Sequence, residues 1–384
     1  MVPFVGPGGL RQPVLLYVVS FFVIGLSITM LGPAVSQLRD RTESGIGDIG
    51  ILFVAESAGY FAGSLLGGRS YDRFDGHRVF AAALAVLGTG LFLVPSVDAL
   101  GGLFAAFVII GVGAGAVGVG ANTLVMWQLG AGVGRAMNTL HLCFGLGALS
   151  APLLVHAGLN VAARSAAVGC VLLAWWAVSV SSPTAPAAAR AEHADATPRL
   201  LGLLAPFFLL YAGLEIGFAG WIHTYGEEID FSGLAAAWLT TTFWISFTVG
   251  RLLSSLLAQR FRPKVVLSGG CSLAIGAALV LVVGDGRAPA VWGATALMGL
   301  ATAPQFPVML TYLERRINVT GIATSWFVGA AGLGGLVFPW LIGRWLDSGG
   351  ATALPASVLI LAALTFASFG VSNRRLGVGA DATA

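Results

Sequence analysis

Charge is scarce in this chain. Only 10% of its 384 residues are Asp, Glu, Lys or Arg, whereas soluble domains carry about 25% to keep a folded surface in water. That shortage excludes a soluble enzyme, a nucleic-acid binder and a secreted module. Lysine is nearly absent. Lys264 stands alone among twenty basic residues, and the arginines sit in short clusters between apolar runs. The net charge of +3 therefore reads as loop placement and not as a polyanion-binding stripe. The three cysteines, Cys143, Cys170 and Cys271, all fall inside apolar runs, which argues against a disulfide framework. His and Cys form no cluster at metal-ligand spacing, there is no nucleophile elbow, and no Gly-x4-Gly-Lys-Ser/Thr loop is present to cradle a phosphate. An enzyme, a resident metal or cofactor and an ATP-driven pump are all disfavoured. Strands alternating apolar and polar residues are missing too, which removes a membrane β-barrel.

What the chain has in excess is apolar length. Its hydrophobic fraction is 57%, its mean hydropathy is +0.88, and 54 residues are glycine. A bilayer-crossing helix needs about 20 mainly apolar residues. Such runs are predicted at about 13–38, 46–68, 79–97, 101–128, 136–157 and 161–181. Six more follow at 200–224, 232–258, 264–283, 289–313, 321–344 and 352–372. The run from Pro13 is too long for the core of a cleaved signal. Between the two sets, SPTAPAAARAEHADATPR (182–199) reads as a flexible linker. The expected fold class is thus all-α membrane protein: twelve transmembrane helices in two six-helix bundles, residues 1–181 and 200–384, joined by linker 182–199.

The arginines orient these spans. With the N-terminus inside, the inner loops hold fourteen basic residues, among them Arg69, Arg73, Arg78, Arg135, Arg260, Arg315 and Arg374. The outer loops hold five: Arg39, Arg41, Arg164, Arg287 and Arg344. Positive charge accumulates on the cytoplasmic side, so both termini are expected there, in a multi-pass protein of the plasma (inner) membrane.

The two halves repeat. Gly145-Leu-Gly-Ala-Leu-Ser-Ala-Pro152 in span 5 reappears 187 residues later as Gly332-Leu-Gly-Gly-Leu-Val-Phe-Pro339 in span 11. At the same separation Gly63, Arg73 and Phe74 map onto Gly250, Arg260 and Phe261. One residue off, Gly25 and Gly32 of span 1 map onto Gly213 and Gly220 of span 7. Each match places span n on span n+6. Small residues let helices approach closely in lipid, and repeats of this kind hold their substrate near mid-membrane at the repeat interface.

The loop after span 2, Gly67-Gly-Arg-Ser-Tyr-Asp72-Arg73-Phe-Asp75-Gly-His-Arg78, resembles the signature of the major facilitator superfamily. Gly68, Asp72, Arg73 and Arg78 match it. Asp75 stands where a glycine is usual. Within that superfamily, GVGANTLVMW (118–127), NTLHLCFGLGALSAPLL (138–154), YAGLEIGFAGWIHTY (211–225) and APQFPVMLTYLERR (303–316) are similar to the branch of fucose–proton symporters and sodium-dependent glucose transporters. The resemblance implies the twelve-helix fold, transport by alternating access, and a cavity lined by spans 1, 4, 7 and 10. The fucose symporters carry an acid four positions before the Asn of span 4; here that position is Gly118. Their proton carriers are therefore missing.

Ionisable groups inside a span are costly and functional by default. Glu56, His141, Glu215 and Arg251 qualify. Glu215 shares a helical face with Tyr211 and Phe218, so it is a candidate for substrate or cation binding. Glu56 is a second candidate for cation coupling, or a neutral carboxyl packed between spans. His141 lies one turn from Asn138, on a possible cavity wall. Arg251 and the loop residues Gly68, Asp72, Arg73 and Arg78 are candidate gating residues. The amides Asn122, Asn138 and Gln305 can donate and accept together, as sugar hydroxyls require, and Trp221, Trp244 and Trp326 offer flat apolar faces. The expected function is a secondary active transporter of a small polar solute, a sugar first, coupled to H+ or Na+ and working as a monomer in the lipid bilayer without a cofactor or nucleic acid. The alternatives are an exporter of hydrophobic compounds and a non-transporting membrane sensor of the same fold.

Overall fold

The computed structural model describes residues 5–6, 9–10, 12–129, 134–183, 198–314 and 321–380. The side chains of residues 5–6, 9–10, 12, 134–135, 138, 198–201, 255–256, 258–259, 314, 321–325 and 376–380 also lie outside the description. Most of linker 182–199 falls outside as well. Apart from a two-residue antiparallel pairing of β1 (Val5–Gly6) with β2 (Gly9–Leu10), the described chain is helical.

Each predicted run falls on a helix or a pair of helices. Span 1 is α1 (Gln12–Thr29) and α2 (Leu31–Thr42), bent by 46° at their junction. Span 2 is α3 (Ile46–Ile49) with α4 (Ile51–Tyr71). Spans 3 and 4 are α5 (Gly76–Leu93) and α6 (Leu100–Leu129). Spans 5 and 6 share one long element, α7 (Gly134–Ser179), which breaks at Gly158, where the backbone is extended. In the second half, α8 (Pro198–Glu228), α9 (Gly233–Arg260) and α10 (Pro263–Gly284) are spans 7 to 9. Span 10 is split into α11 (Ala288–Thr302) and α12 (Gln305–Glu314). The break coincides with Pro304, which cannot continue a helical hydrogen-bond ladder. Spans 11 and 12 are α13 (Gly321–Gly349) and α14 (Ala353–Ala380). By length and hydropathy alone, eight of the described helices can cross a membrane, or nine if the bent pair α1–α2 counts as one. Two of the eight stretches, Thr139–Ser179 and Trp326–Arg375, each contain two of the expected spans.

Local chemistry sets several helix ends. Asp75, at the unusual place in the loop after span 2, is the N-cap of α5; its Oδ1 accepts a hydrogen bond from the Arg78 amide at 3.0 Å. Ser232 caps α9 in the same way, accepting from the Ala235 amide at 3.3 Å.

The chain divides into two compact units, Met1–Gly45 with Ile51–Ala191, and Ile46–Gly50 with Glu192–Ala384. The repeated glycines do equivalent work inside each. In the first unit a Cβ on Gly25 would meet the Phe144 carbonyl, and one on Gly147 would meet the Phe22 carbonyl, so α1 lies backbone to backbone on α7. In the second unit, Gly334 faces the Leu209 carbonyl and Gly213 the Phe338 ring, so α8 lies on α13. The other repeat pair matches as well: Gly63 faces the Val112 carbonyl on α6, while a Cβ on Gly250 would come within 2.8 Å of the Ala303 methyl beside the end of α11. The second unit also takes in the short α3, where Gly47 fits between Arg344 and Asp347 of α13 and Asp48 pairs with Arg344 at 3.5 Å.

Candidate transport site

In the second unit, α8 and α9 bring together the polar residues of spans 7 and 8. Tyr211 donates its hydroxyl to Glu215 Oε2 across one helical turn, as their spacing predicts. Arg251 lies near enough to Glu215 for the opposite charges to act on each other. Its guanidinium also sits over the Phe247 ring, 4.7 Å from the centroid, a cation–π contact that keeps a charge tolerable away from water. Arg251 Nε is sealed from solvent and has no hydrogen-bond acceptor among the described residues. Around this pair stands an aromatic wall. Phe218 of α8 meets Phe243 of α9 at 5.5 Å, and Trp244 sits edge-on to both Phe243 and Phe247, at 5.2 and 5.4 Å. Arg251, expected as a gating residue, thus belongs to the same constellation as Glu215 and Trp244. Its spacing along α9 carries it there: residues 240, 244, 247 and 251 share one face of a 3.6-residue helix.

The first unit holds a more deeply buried acid. Glu56 on α4 is only 6% exposed, and its Oε1 has no hydrogen-bond partner. The α4–α6 contact beside it is built of glycines. Gly59 and Gly63 face the Val108 and Val112 carbonyls, and a Cβ on Gly67 would stand 3.0 Å from the Ala116 backbone. From α6, Gly111 faces the Glu56 carbonyl and Gly115 the Tyr60 carbonyl. The space at Gly118, where the resembled symporters carry an acid, is met by the Tyr60 hydroxyl from α4, 3.2 Å from the place a Cβ would take. Asn122 is half-buried and donates to the Gly118 carbonyl of its own helix at 2.8 Å. His141 is exposed and stands perpendicular to Phe21 of α1 at 5.5 Å. The Asn138 side chain lies outside the described residues.

Three candidates are committed elsewhere. Trp221 is fully buried and donates its indole N–H to the Pro339 carbonyl at 2.7 Å. That carbonyl is in α13, and the Gly343 position packs against the Trp221 ring. Gln305 is fully buried too. It donates to the Ala301 carbonyl at 3.1 Å, spanning the break at Pro304, while its Oε1 faces Cys271 Sγ at 3.9 Å. Both amide and indole thus serve helix packing at the two proline sites. Trp326 is 60% exposed, as a lipid-facing indole would be in a span.

The loop after span 2 presents Asp72, Arg73 and Arg78 to solvent, with open space around Gly68. Beside them is a residue the sequence reading passed over. His77 is buried, and its Nδ1 donates to the Val180 carbonyl at 2.9 Å. A carbonyl can only accept, so Nε2 is left to accept the Tyr17 hydroxyl at 2.7 Å. The His77 amide donates to Ser182 Oγ at 3.2 Å. One imidazole thereby fastens the starts of spans 1 and 3 to the end of span 6. In the sequence its only signal is its place in a basic loop, where a histidine reads as solvated charge.

Comparison with known proteins bears on the whole chain. The family model described as Major Facilitator Superfamily matches residues 17–339 and 204–376. Sodium-dependent glucose transporter 1A of Mus musculus is 27% identical over 378 residues, covering 84% of this chain and 87% of its own. The Homo sapiens sodium-dependent glucose transporter 1 is 29% identical over 374 residues, covering 84% and 71%. The glucose/mannose transporter GlcP of Bacillus subtilis (strain 168) is 23% identical over 350 residues, covering 85% and 86%. Among solved structures, a D323A mutant of the nucleoside transporter NupG superposes with a TM-score of 0.79 at 16% identity, covering 94% of this chain and all of that one. A D-xylose–proton symporter gives 0.69 at 11% identity, covering 92% and 96%. At such identities these structures establish the fold alone.

Proposed function

We propose, from the premise that the chain belongs to the major facilitator superfamily, that it is a secondary active transporter moving a hexose or a closely similar polyol across a membrane by alternating access. The observation that carries this reading is the Tyr211–Glu215–Arg251 constellation walled by Phe218, Phe243, Trp244 and Phe247. A sugar offers hydroxyls that both donate and accept, and faces of C–H groups. A carboxylate and a guanidinium meet the first, and flat aromatic rings meet the second. The relatives named as glucose transporters support the same substrate class.

In this reading Glu215, Arg251 and Trp244 of the second unit hold the sugar. Asn122, Asn138 and His141 of the first unit are separate polar candidates for substrate binding. Trp221 and Gln305 shape the helices behind the site. Asp72, with Arg73 and Arg78, gates the cytoplasmic side, and the chain acts as a monomer with both termini in the cytoplasm of a bacterial-type inner or a plasma membrane. Transport is driven by a cation taken up at an intramembrane carboxyl.

The test is counterflow of labelled hexoses by the purified protein in liposomes. Exchange of glucose or a related hexose is expected, weakened at least tenfold in Glu215→Ala. Absence of exchange with every sugar tried, together with uptake of lipophilic cations, would overturn this reading in favour of an exporter.

A further inference from the structure

The two intramembrane carboxyls are not equivalent, and the difference separates their roles. Glu215 has a hydroxyl donor in Tyr211 and a counter-charge in Arg251. Both partners come from within the chain. Glu56 has neither. It is buried, and its Oε1 lacks a donor.

The elements packed against α4 are α6 and, to a smaller extent, α5. Between Leu100 and Ala121, α6 has no side-chain oxygen or nitrogen and no titratable group. The charged and titratable groups of α5 are His77 and Arg78, in its first turn beyond the end of α4. That end, Tyr71, is fifteen residues from Glu56, about 22 Å along a helix at about 1.5 Å per residue. His77 is also engaged by Tyr17 and Val180. On α4 itself the Tyr60 hydroxyl points to Gly118, seven residues beyond the Gly111 turn that faces Glu56. Arg69 lies more than three turns away, and Asp48 on α3 pairs with Arg344. Among the described residues no cationic side chain pairs with Glu56.

An anion in such a place is not solvated by anything the chain supplies, and burying one unpaired costs far more than any single contact returns. The charge has to be met from outside. A hard metal cation takes its shell from several oxygen ligands. The glycine-lined face offers only the Tyr60 hydroxyl and Ser64 Oγ, from residues one and two turns beyond Glu56, its backbone carbonyls are held in two helical ladders, and no group of three His, Cys, Asp or Glu residues is assembled among the described residues. A proton needs only the one oxygen. We infer that Glu56 is the coupling residue of this transporter, that the ion it carries is a proton and not Na+, and that Glu215, with its own partners in Tyr211 and Arg251, is a sugar ligand. This inference rests on the transport reading above. The sodium dependence named for the animal relatives does not extend to this chain.

The balance is simple: the proton binds Glu56 Oε1 from one side of the membrane and is released to the other, and no covalent bond other than O–H is made or broken. Two measurements test it. In liposomes under an imposed pH gradient without Na+, the protein is expected to accumulate hexose by roughly tenfold per pH unit for one proton per sugar. Glu56→Gln is expected to lose all accumulation and keep counterflow, and Glu215→Gln to lose both. Independently of any sugar, infrared spectra should contain the carbonyl stretch of a protonated carboxylic acid that vanishes in Glu56→Gln and persists in Glu215→Gln. Accumulation driven by Na+ and not by pH, undiminished accumulation in Glu56→Gln, or an unchanged carboxyl band in that variant would each overturn the inference. Should no hexose exchange even in the parent protein, the sugar reading fails while the infrared band still decides the role of Glu56. If Glu56→Gln does not insert, Glu56→Asp takes its place and must keep both the band and pH-driven accumulation.

Discussion

At the scale of single residues, rarity made the site visible. Four ionisable groups stand well inside spans whose other charged and histidine side chains lie near the ends, and two of them, Glu215 and Arg251, prove to be electrostatic neighbours. Their pairing was not legible. It depends on how α8 and α9 are rotated against each other, and the 35 residues between Glu215 and Arg251 record nothing of that angle. The tryptophans show the converse. Trp221 and Trp244 look alike as flat apolar residues near mid-chain, yet one spends its N–H on Pro339 while the other faces Phe247. What separates them is the acceptor within reach: the Trp221 indole N–H crosses from α8 to the Pro339 carbonyl of α13. Trp221→Phe is therefore expected to cost about 1 kcal/mol through the lost buried hydrogen bond, read as a lower midpoint in thermal unfolding in detergent. The apparent affinity for hexose should stay unchanged. A weakened affinity with unaltered stability would return Trp221 to the sugar site.

Among elements, the apolar runs translated directly into helices because hydropathy and length are the very quantities a bilayer selects. The interruptions were less legible. The break at Pro304 has a plain chemical marker. The extended Gly158 that divides α7 does not, since 54 glycines compete for that role. The glycines that matter are those whose missing Cβ admits a neighbouring backbone, and these are identified by partner and not by composition. Gly147→Ala and Gly334→Ala should each destabilise the fold by about 1–3 kcal/mol, the usual range for overpacking, because a methyl group would meet the Phe22 or Leu209 carbonyl. Gly332→Ala, with open space around it, should be neutral. Melting curves of the three purified variants compare them directly, and equal losses would remove the distinction.

For the whole molecule, the internal repeat was the most informative pattern, since it predicted which helices correspond before any contact was known. The gate was less accessible to inspection. Asp72 is exposed and unpaired among the described residues, so its role rests on the loop signature and on the tendency of anions to settle at helix N-termini. Asp72→Asn should leave insertion and hexose binding intact while lowering the transport rate at least tenfold; a normal uptake rate would exclude a gating carboxylate. The doubled glycine contacts carry a mechanical consequence. Those that clamp α1 to α7 close wholly within one unit, and those that clamp α8 to α13 close wholly within the other, so tension applied at a chain end has two separate fasteners to open. Pulled from its C-terminus out of a bilayer, the protein should surrender its helices in two bursts separated by a plateau, and Gly334→Ala should lower the rupture force of the first burst alone.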